Sequence, residues 1–435
     1  KWPGSNRKEV VLHIRGATPG LTLKKPELPA ARALIHPDPP IAKLDRPLLI
    51  VPGGNSRDWG LPAVIHYLCH GSENVYGGSF RVDALERLEE TYQAFGGDVF
   101  SLEFTHEFGN LEDNAAEVAR AVEAVKRVTG VSEIDLVAEC KGAVETRKFL
   151  QDGGTGIRNF VQMVPPNHGM PVGGDLSSLI ARLSVGLGLG IERLTFFPVA
   201  PDTLDTFDGM RTDISLGPLQ WNPRLAALNR PEGLAKEQRA VHSTTILMGD
   251  RRPLVERKVR LGKLKLDLAV PGHQHVGDGS VPLWSAALPH AQHFAFAGML
   301  AEHGRFPFHP KALAKMTEVL QSDGAPVHDQ AYLAKPPTPT QAATLTALDV
   351  GGLAGKVNTL ATGLGSGVFG PTGYVLAGLA LVDCTHELAY QAGRKSPVGI
   401  ASQTAQLGGV ALTLAGHGQL GAALLGAGYL GGLLS

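Results

Sequence analysis

Apolar segments that alternate with amphipathic helical segments are the feature that most constrains how this chain can fold. The segment RPLLIVPGG (46–54) predicts a buried strand that ends in a glycine turn. DVFSLEF (98–104), EIDLVAE (133–139) and FVQMVPP (160–166) have the same character, and helical patterns over 82–95 and 110–130 separate them. Such spacing predicts right-handed βαβ units, and therefore an α/β fold with a mostly parallel sheet and helices on both faces.

Residues from about 168 to 238 interrupt this alternation. They are rich in Gly, Leu and Pro, and we interpret them as an insertion over the carboxyl edge of the sheet. Two further strands are predicted at 243–250 and near 293–298. A closing helix follows, with Leu313, Met316, Val319 and Leu320 on one face.

The composition changes again after residue 333. We divide the chain into an amino-terminal extension (1–44), an α/β domain (45–333), a Pro-rich linker (334–341) and a Gly-, Ala- and Leu-rich helical region (342–435). Residues 357–382 and 396–435 carry no charge. Two readings stay open: uncharged stretches that enter a membrane through residues 357–435, or Gly-rich helices that pack against the α/β domain.

Charge and cysteine content narrow the classes of partner. A formal net charge of -1 gives no reason to expect nucleic acid. Three cysteines are too few for a disulfide framework, although one pair could form. Composition alone therefore favours neither an oxidising nor a reducing compartment.

The segment IDLVAECKGAVETRKFL (134–150) predicts a strand that turns sharply into a helix at Cys140. The apex of such a turn sits in strained backbone and needs small neighbours, which Ala138, Gly142 and Ala143 supply. A thiol presented there can act as a nucleophile. The alternative is a small buried residue at the end of an apolar strand.

Backbone amides near this turn can form an oxyanion hole. The amide of Lys141 begins the helix, and a second donor is expected from the loop after the first strand, at Asn55 or Gly54. The Lys141 side chain would favour a thiolate at Cys140 and the Glu139 side chain would oppose it.

A nucleophile needs a base and an orienting acid, and both follow downstream. Asp278 lies in a Gly-flanked turn and His303 in a loop before the last helix of the α/β domain. The order nucleophile, acid, base is that of the α/β-hydrolase fold. Asp250 is a rival acid; His309 is a weaker base candidate, because a residue before Pro310 at a helix start favours capping.

Seven segments in one order resemble bacterial triacylglycerol lipases and lecithin:cholesterol acyltransferase-like enzymes over residues 45–322. They are PLLIVPGG, the run from Asn114 to Leu150, VQMVPPNHG, NPRLAALN, TTILMGD, GDGSVPLWSA and EHGRFPFHPKAL. The resemblance implies an α/β-hydrolase fold, a nucleophile at Cys140, an acid at Asp278 and a base at His303, with residues 168–238 as a lid over an acyl pocket. That family has Ser at the apex, so Cys140 is a departure, as are its two neighbours.

The expected function is that of an acyl hydrolase or acyltransferase that acts on a hydrophobic ester through a thioester, with no metal or organic cofactor required. The alternative is a catalytically idle lipase-like protein that binds or enters a membrane, as a toxin or effector does. For location we consider secretion or membrane association in bacteria. Metal sites at His66, Cys69 and His70, or at His273 and His275, are weaker hypotheses.

Overall fold

A computed structural model describes most of the α/β domain and the carboxyl-terminal helices. The described residues are 23–30, 37–54, 60–107, 109–170, 213–214, 222–248, 255–261, 264–270, 277–278, 281–296, 303, 306–322, scattered positions from 351 to 367, 371–393 and 397–433.

A seven-stranded sheet forms the centre of the α/β domain. Its strands are β1 (Leu48–Val51), β2 (Tyr76–Phe80), β3 (Val99–Leu102), β4 (Ile134–Glu139), β5 (Ile157–Met163), β6 (His242–Met248) and β9 (Gln292–Phe296). They lie in the order β2-β3-β1-β4-β5-β6-β9, and each neighbouring pair is parallel. A separate antiparallel hairpin consists of β7 (Val255–Leu261) and β8 (Leu264–Val270).

Helices cover both faces of this sheet. They are α1 (Gly60–Cys69), α2 (Leu85–Phe95), α3 (Leu111–Thr129), α4 (Cys140–Gln151), α5 (Pro223–Leu228), α6 (Pro231–Ala240), α7 (Leu283–Ala286) and α8 (Pro310–Gln321), with a 3₁₀ helix at Phe306–Phe308.

Strand β1 shows how the two faces are filled. Leu48 and Ile50 belong to a core cluster with residues of α1 and α8, whereas Leu49 belongs to a second cluster with residues of α3. Successive side chains of a strand point to opposite faces, so a strand covered on both sides must be apolar throughout. This sheet, with its helices on both faces and a sharp β4–α4 turn near its centre, confirms the expected α/β-hydrolase fold.

Helix α3 is the element whose ends follow most directly from sequence. The Asn110 side chain accepts a hydrogen bond from the Asp113 amide at 2.9 Å, which caps the amino terminus. Gly130 ends the helix in the left-handed conformation, at φ 74°.

The described part of the carboxyl-terminal region includes three Gly-rich helices: α9 (Pro371–Gly393), α10 (Pro397–Leu414) and α11 (Gly418–Leu433). Helix α10 packs on both α9 and α11. Its backbone lies so close to α11 that a Cβ on Gly409 would come within 2.6 Å of the Gly421 carbonyl oxygen. Within the described part of the chain, no helix combines the length and the apolar character needed to cross a membrane.

Candidate active site

Cys140 lies at the apex of the turn between β4 and α4. Its φ of 47° is in the left-handed region, which is uncommon for a residue with a side chain. The residue is buried, with 4 % of its surface exposed. Two other cysteines, Cys69 and Cys384, are also buried and, like Cys140, are not in disulfides.

Two glycines let neighbouring backbone approach this apex. A Cβ on Gly53 would lie 2.7 Å from the Cys140 Cβ, so the loop after β1 passes directly against the turn. A Cβ on Gly142 would lie 2.3 Å from the Pro52 carbonyl oxygen. The first turn of α4 and the end of β1 can therefore touch only because neither position carries a side chain.

Asp278 and His303 are joined by side chain and backbone. The Asp278 carboxylate accepts a hydrogen bond from His303 Nδ1, with 2.7 Å between Oδ2 and Nδ1. The His303 amide donates to the Asp278 carbonyl oxygen at 2.8 Å. The other carboxylate oxygen, Oδ1, accepts from the Val281 amide at 2.6 Å, so the acid is held at both oxygens. Because an ionised carboxylate only accepts hydrogen bonds, Nδ1 carries a proton and Nε2 is left to face another group.

The structure also brings His303 into hydrogen-bond contact with the Cys140 thiol. Burial lowers the pKa of the His303 imidazole. The negative charges of Asp278 and Cys140, and a hydrogen bond with each, raise it by more, so the net pKa lies well above its ordinary value. The three residues that sequence order selects as nucleophile, acid and base therefore form one connected chain of contacts.

The predicted oxyanion donors are only partly described. Lys141 lies in the first turn of α4, where backbone amides have no intrahelical acceptor. Gly54 follows Gly53 in the loop beside Cys140, and Asn55 lies outside the described residues. The pairing of these amides stays a prediction.

The Lys141 side chain differs from its expected role. Its ammonium group donates to the Gly109 carbonyl oxygen at 2.7 Å and to the Glu145 carboxylate, and the side chain is 1 % exposed. The expectation that this ammonium group serves the Cys140 thiolate is therefore corrected, because two other acceptors hold its charge.

The rival candidates fall into two groups. His309 caps α8, as predicted, because its Nδ1 accepts from the Ala312 amide at 3.4 Å. Asp250, His273 and His275 lie outside the described residues.

The contacts of α1 do not favour the metal site considered at His66, Cys69 and His70. Cys69 belongs to the core, where burial, together with the charge of Asp98, raises the pKa of its thiol to about 12. His66 Nε2 lies 2.7 Å from the Pro29 carbonyl oxygen. Among the residues that the structure describes, no group of three metal-ligating side chains could hold an ion.

Sequence reasoning missed the charged residues on the buried side of α4. Arg147 is fully buried and forms an ion pair with Glu237 of α6, with 3.0 Å between Nε and Oε2. Arg147 also donates to Asn229 at 2.8 Å. One signal was available in the sequence. Lys141, Glu145 and Arg147 lie on one helix, and a helix at the centre of this fold must be buried.

A second strained residue lies beside the turn. Val164, at the end of β5, has φ 47° and is buried. Its amide donates to the Ile246 carbonyl oxygen at 3.0 Å. No feature of its sequence context predicted this conformation, since a residue before Pro165 normally adopts extended backbone.

Comparison with models of known protein families gives no match, and comparison with curated protein sequences gives none either. Two solved structures resemble the chain. The lin2722 gene product of Listeria innocua is 13% identical, with a TM-score of 0.34, over 66% of this chain and 96% of that one. A protein titled "putative cell surface hydrolase" from Lactobacillus plantarum WCFS1 is 10% identical, with a TM-score of 0.32, over 69% and 96%. The α/β-hydrolase assignment rests on the strand order and the β4–α4 turn of this chain itself.

Proposed function

We propose that the α/β domain is an acyl hydrolase or acyltransferase that uses Cys140 as nucleophile, His303 as base and Asp278 as orienting acid. The observation that carries the proposal is the continuous path from the strained Cys140 through His303 to Asp278, with 2.7 Å between Nδ1 and Oδ2. A thiol, a base and an orienting carboxylate in this order are the parts that covalent acyl transfer requires.

In the first half-reaction, the Cys140 sulfur attacks the carbonyl carbon of an ester, and the thiol proton passes to His303 Nε2. The tetrahedral intermediate collapses when the carbon–oxygen bond to the alcohol breaks, and Nε2 returns the proton to the departing oxygen. A thioester with Cys140 remains. In the second half-reaction, Nε2 takes a proton from water or another acceptor, which attacks the thioester and releases the thiol.

The electrostatics of the pair support this sequence of steps. Since the net pKa of His303 is raised, its Nε2 is a stronger base for the Cys140 proton, and the imidazolium that forms on proton transfer is more stable. An imidazolium is the form that can protonate a leaving group, and a thiolate is the form that attacks. The Asp278 carboxylate keeps the required tautomer by accepting from Nδ1.

A hydrophobic acyl ester is the proposed substrate class. The support is the apolar composition of residues 176–200, LSSLIARLSVGLGLGIERLTFFPVA, in the insertion that follows β5. Apolar walls with few polar groups are typical of pockets for acyl chains. These residues lie outside those that the structure describes, and their role as a lid stays a prediction.

The test is the intact mass of the protein after incubation with short- and medium-chain p-nitrophenyl esters. We expect an acyl adduct that hydroxylamine removes, together with p-nitrophenol release, in the wild type and not in Cys140→Ala. Cys69→Ala and Cys384→Ala are matched controls, because both remove a buried thiol that is not in a disulfide elsewhere in the chain. An adduct that persists in Cys140→Ala, or turnover that ignores this change, contradicts the proposal.

A second candidate function is membrane association through the carboxyl-terminal helices. Large apolar side chains are exposed there, with Tyr374 at 66%, Val375 at 63% and Leu420 at 60%. Flotation of the full-length protein with anionic and neutral vesicles tests it. We expect the wild type and Cys140→Ala to bind the vesicles equally, and the triple variant Tyr374→Ser/Val375→Ser/Leu420→Ser to bind them more weakly. Equal flotation of these three proteins would contradict the membrane function.

A further inference from the structure

The buried ammonium group of Lys141 is the centre of an ionic cluster behind the nucleophile. It contacts two carboxylates: Glu145, one turn along α4, and Asp213, whose Oδ2 lies 3.8 Å from Nζ. All three side chains have at most 1 % of their surface exposed. The charge of Lys141 is therefore compensated within the protein interior.

Each carboxylate in this cluster is also held by a second group. Asn114 of α3 donates to Glu145 at 2.7 Å. Arg224 of α5 forms an ion pair with Asp213 at 3.0 Å. The cluster, which we define as Lys141, Glu145, Asp213, Asn114 and Arg224, therefore joins α4 to α3, to α5 and to the described pair 213–214.

Backbone and apolar contacts reinforce the same junction. The Lys141 ammonium group also donates to the Gly109 carbonyl oxygen, in the loop before α3, at 2.7 Å. Ile214 is fully buried in an apolar cluster with Val144 of α4, and its carbonyl oxygen accepts from the Met170 amide at 2.7 Å. Asp213 is thus fixed by its neighbours and can serve as an anchor for Lys141.

A buried lysine is an expensive means of stabilising a helix. Removing an ion from water is unfavourable, and well-packed apolar side chains often replace buried ion pairs without loss of stability. An ionic contact differs from an apolar one in that it fixes the direction of the side chain. In the first turn of α4, that direction sets the backbone of Lys141 and of Cys140, the residue before it.

We propose that the Lys141 side chain is a positioning residue that holds the first turn of α4 in the geometry that Cys140 needs. A strained conformation such as the φ of 47° at Cys140 persists only where its surroundings over-determine it. Gly53 and Pro52 restrain the turn from the loop after β1, and the Lys141 cluster restrains it through contacts with α3, α5 and the loop before α3. The proposal deepens, and for its catalytic readout rests on, the acyl-transfer function proposed above.

Two variants separate positioning from plain stability. Lys141→Met leaves Glu145 buried without its cation, so a loss of stability is expected in any case. Lys141→Met/Glu145→Gln removes both charges, and the Gln oxygen can still accept from Asn114, so the melting temperature should recover much of this loss. If Lys141 positions the nucleophile, kcat for p-nitrophenyl ester turnover stays about 10- to 100-fold low in both variants while KM is little changed.

The matched control is Lys148→Met on the same helix. Its ammonium group is 25 % exposed and pairs with the exposed Asp152, so this change removes a lysine from α4 without touching the cluster. We expect its kcat to stay within about twofold of the wild type, as for an ordinary surface change. Recovery of kcat together with the melting temperature in Lys141→Met/Glu145→Gln would overturn the proposal, because it would reduce Lys141 to a stabilising residue.

A substrate-free measurement keeps this inference separate from the proposed function. Iodoacetamide labelling of Cys140 at pH 6.5, followed by peptide mass, reports whether the thiol still meets His303. We expect labelling to slow about tenfold in both Lys141 variants and not in Lys148→Met, as the thiolate fraction falls when the contact is lost. A wild type that labels in this way but never forms an acyl adduct would reject the acyl-transfer function alone, whereas unchanged labelling in both Lys141 variants would reject the positioning role alone.

Discussion

Replacing Asp278 with Asn tests the proposed site most sharply, because it changes one charge and keeps the shape of the side chain. The Asn oxygen can take over the hydrogen bond from the Val281 amide, which Oδ1 now accepts at 2.6 Å. The amide nitrogen then faces His303 Nδ1, where the carboxylate oxygen stood at 2.7 Å. A donor in that place stabilises the tautomer whose Nε2 already carries a proton, and such an imidazole cannot accept the Cys140 proton.

The expected loss follows from this tautomer. The same change in a serine triad lowers kcat about 10⁴-fold, which corresponds to about 5.5 kcal/mol of transition-state stabilisation. We expect an effect of similar size in this protein. Asp278 is held at both carboxylate oxygens and its side chain is 1 % exposed, so water cannot replace it. We therefore expect Asp278→Asn to lose about three to four orders of magnitude in the rate of acylation.

A pH profile tests the direction in which the pKa of His303 changes, which a simple loss of activity does not report. The charge of Asp278 raises the pKa of His303; without it the imidazolium form is lost at lower pH. Acylation needs the neutral imidazole as base, so in the wild type we expect the rate of single-turnover acylation to rise with pH along an acid limb well above pH 6.5, and in Asp278→Asn the acid limb of the residual activity should lie at lower pH.

Asp152→Asn is the matched control, since that carboxylate is 56 % exposed and pairs with Lys148 at the surface. Stopped-flow release of p-nitrophenol between pH 5 and 10 measures both the rate and the limb. The reasoning is refuted if Asp278→Asn retains activity within tenfold of the wild type and its acid limb does not move.

Three further predictions concern packing and buried charge. Gly142→Ala should destabilise the fold in a urea titration by about 1–3 kcal/mol through overpacking, because its Cβ would meet the Pro52 carbonyl oxygen at 2.3 Å. Gly378→Ala, inside α9 with nothing within 4 Å of its Cβ, should instead stabilise by up to about 1 kcal/mol, because alanine favours the helix. Asp135→Asn should be more stable than the wild type at pH 8, and this difference should shrink below pH 6. Burial raises the pKa of Asp135 from 3.8 to about 6, so ionisation of the carboxylate costs the wild type about 3 kcal/mol of stability. Equal pH dependence of stability in both proteins would contradict this prediction. Arg147→Met should cost about 3–5 kcal/mol in a thermal melt because it leaves Glu237 buried without its cation, whereas Arg147→Met/Glu237→Leu should recover most of that stability.

Strands and helix ends that depend on local sequence were predictable. β1 is a continuous apolar run and β4 is apolar at four of its six positions, and their burial on both faces follows from that composition. Helix α3 carries its own start and stop signals at Asn110 and Gly130. Cys140, Asp278 and His303 could be selected because the turn and the chain order restrict the choice, although their contacts could not be known before folding.

Elements that depend on distant partners were missed. Strand β2 contains two glycines that resemble a turn, yet Gly77 packs so closely on the Phe100 ring that a Cβ would lie 2.3 Å from a ring carbon. The β7–β8 hairpin was overlooked despite its alternating pattern, VERKVRL and LKLDLAV around a Gly-Lys pair. Two of the carboxylates that pair with Lys141 and Arg147, Asp213 and Glu237, lie 72 and 90 residues away, so no local pattern identifies them. Glu145, one turn after Lys141, is the local exception.

Helix α4 combines these two kinds of information in one element. Toward β1 it needs the absence of side chains, at Gly53 and Gly142, so that the loop can lie against Cys140. Toward the residues that follow β5 it carries charges at Lys141 and Arg147, which pair with the buried carboxylates of Asp213 and Glu237. In the positioning role proposed above, these paired charges add a directional restraint to the packing contacts. A nucleophile in strained backbone needs both restraints, because a first turn free to rotate would relax the strain and draw the thiol away from His303.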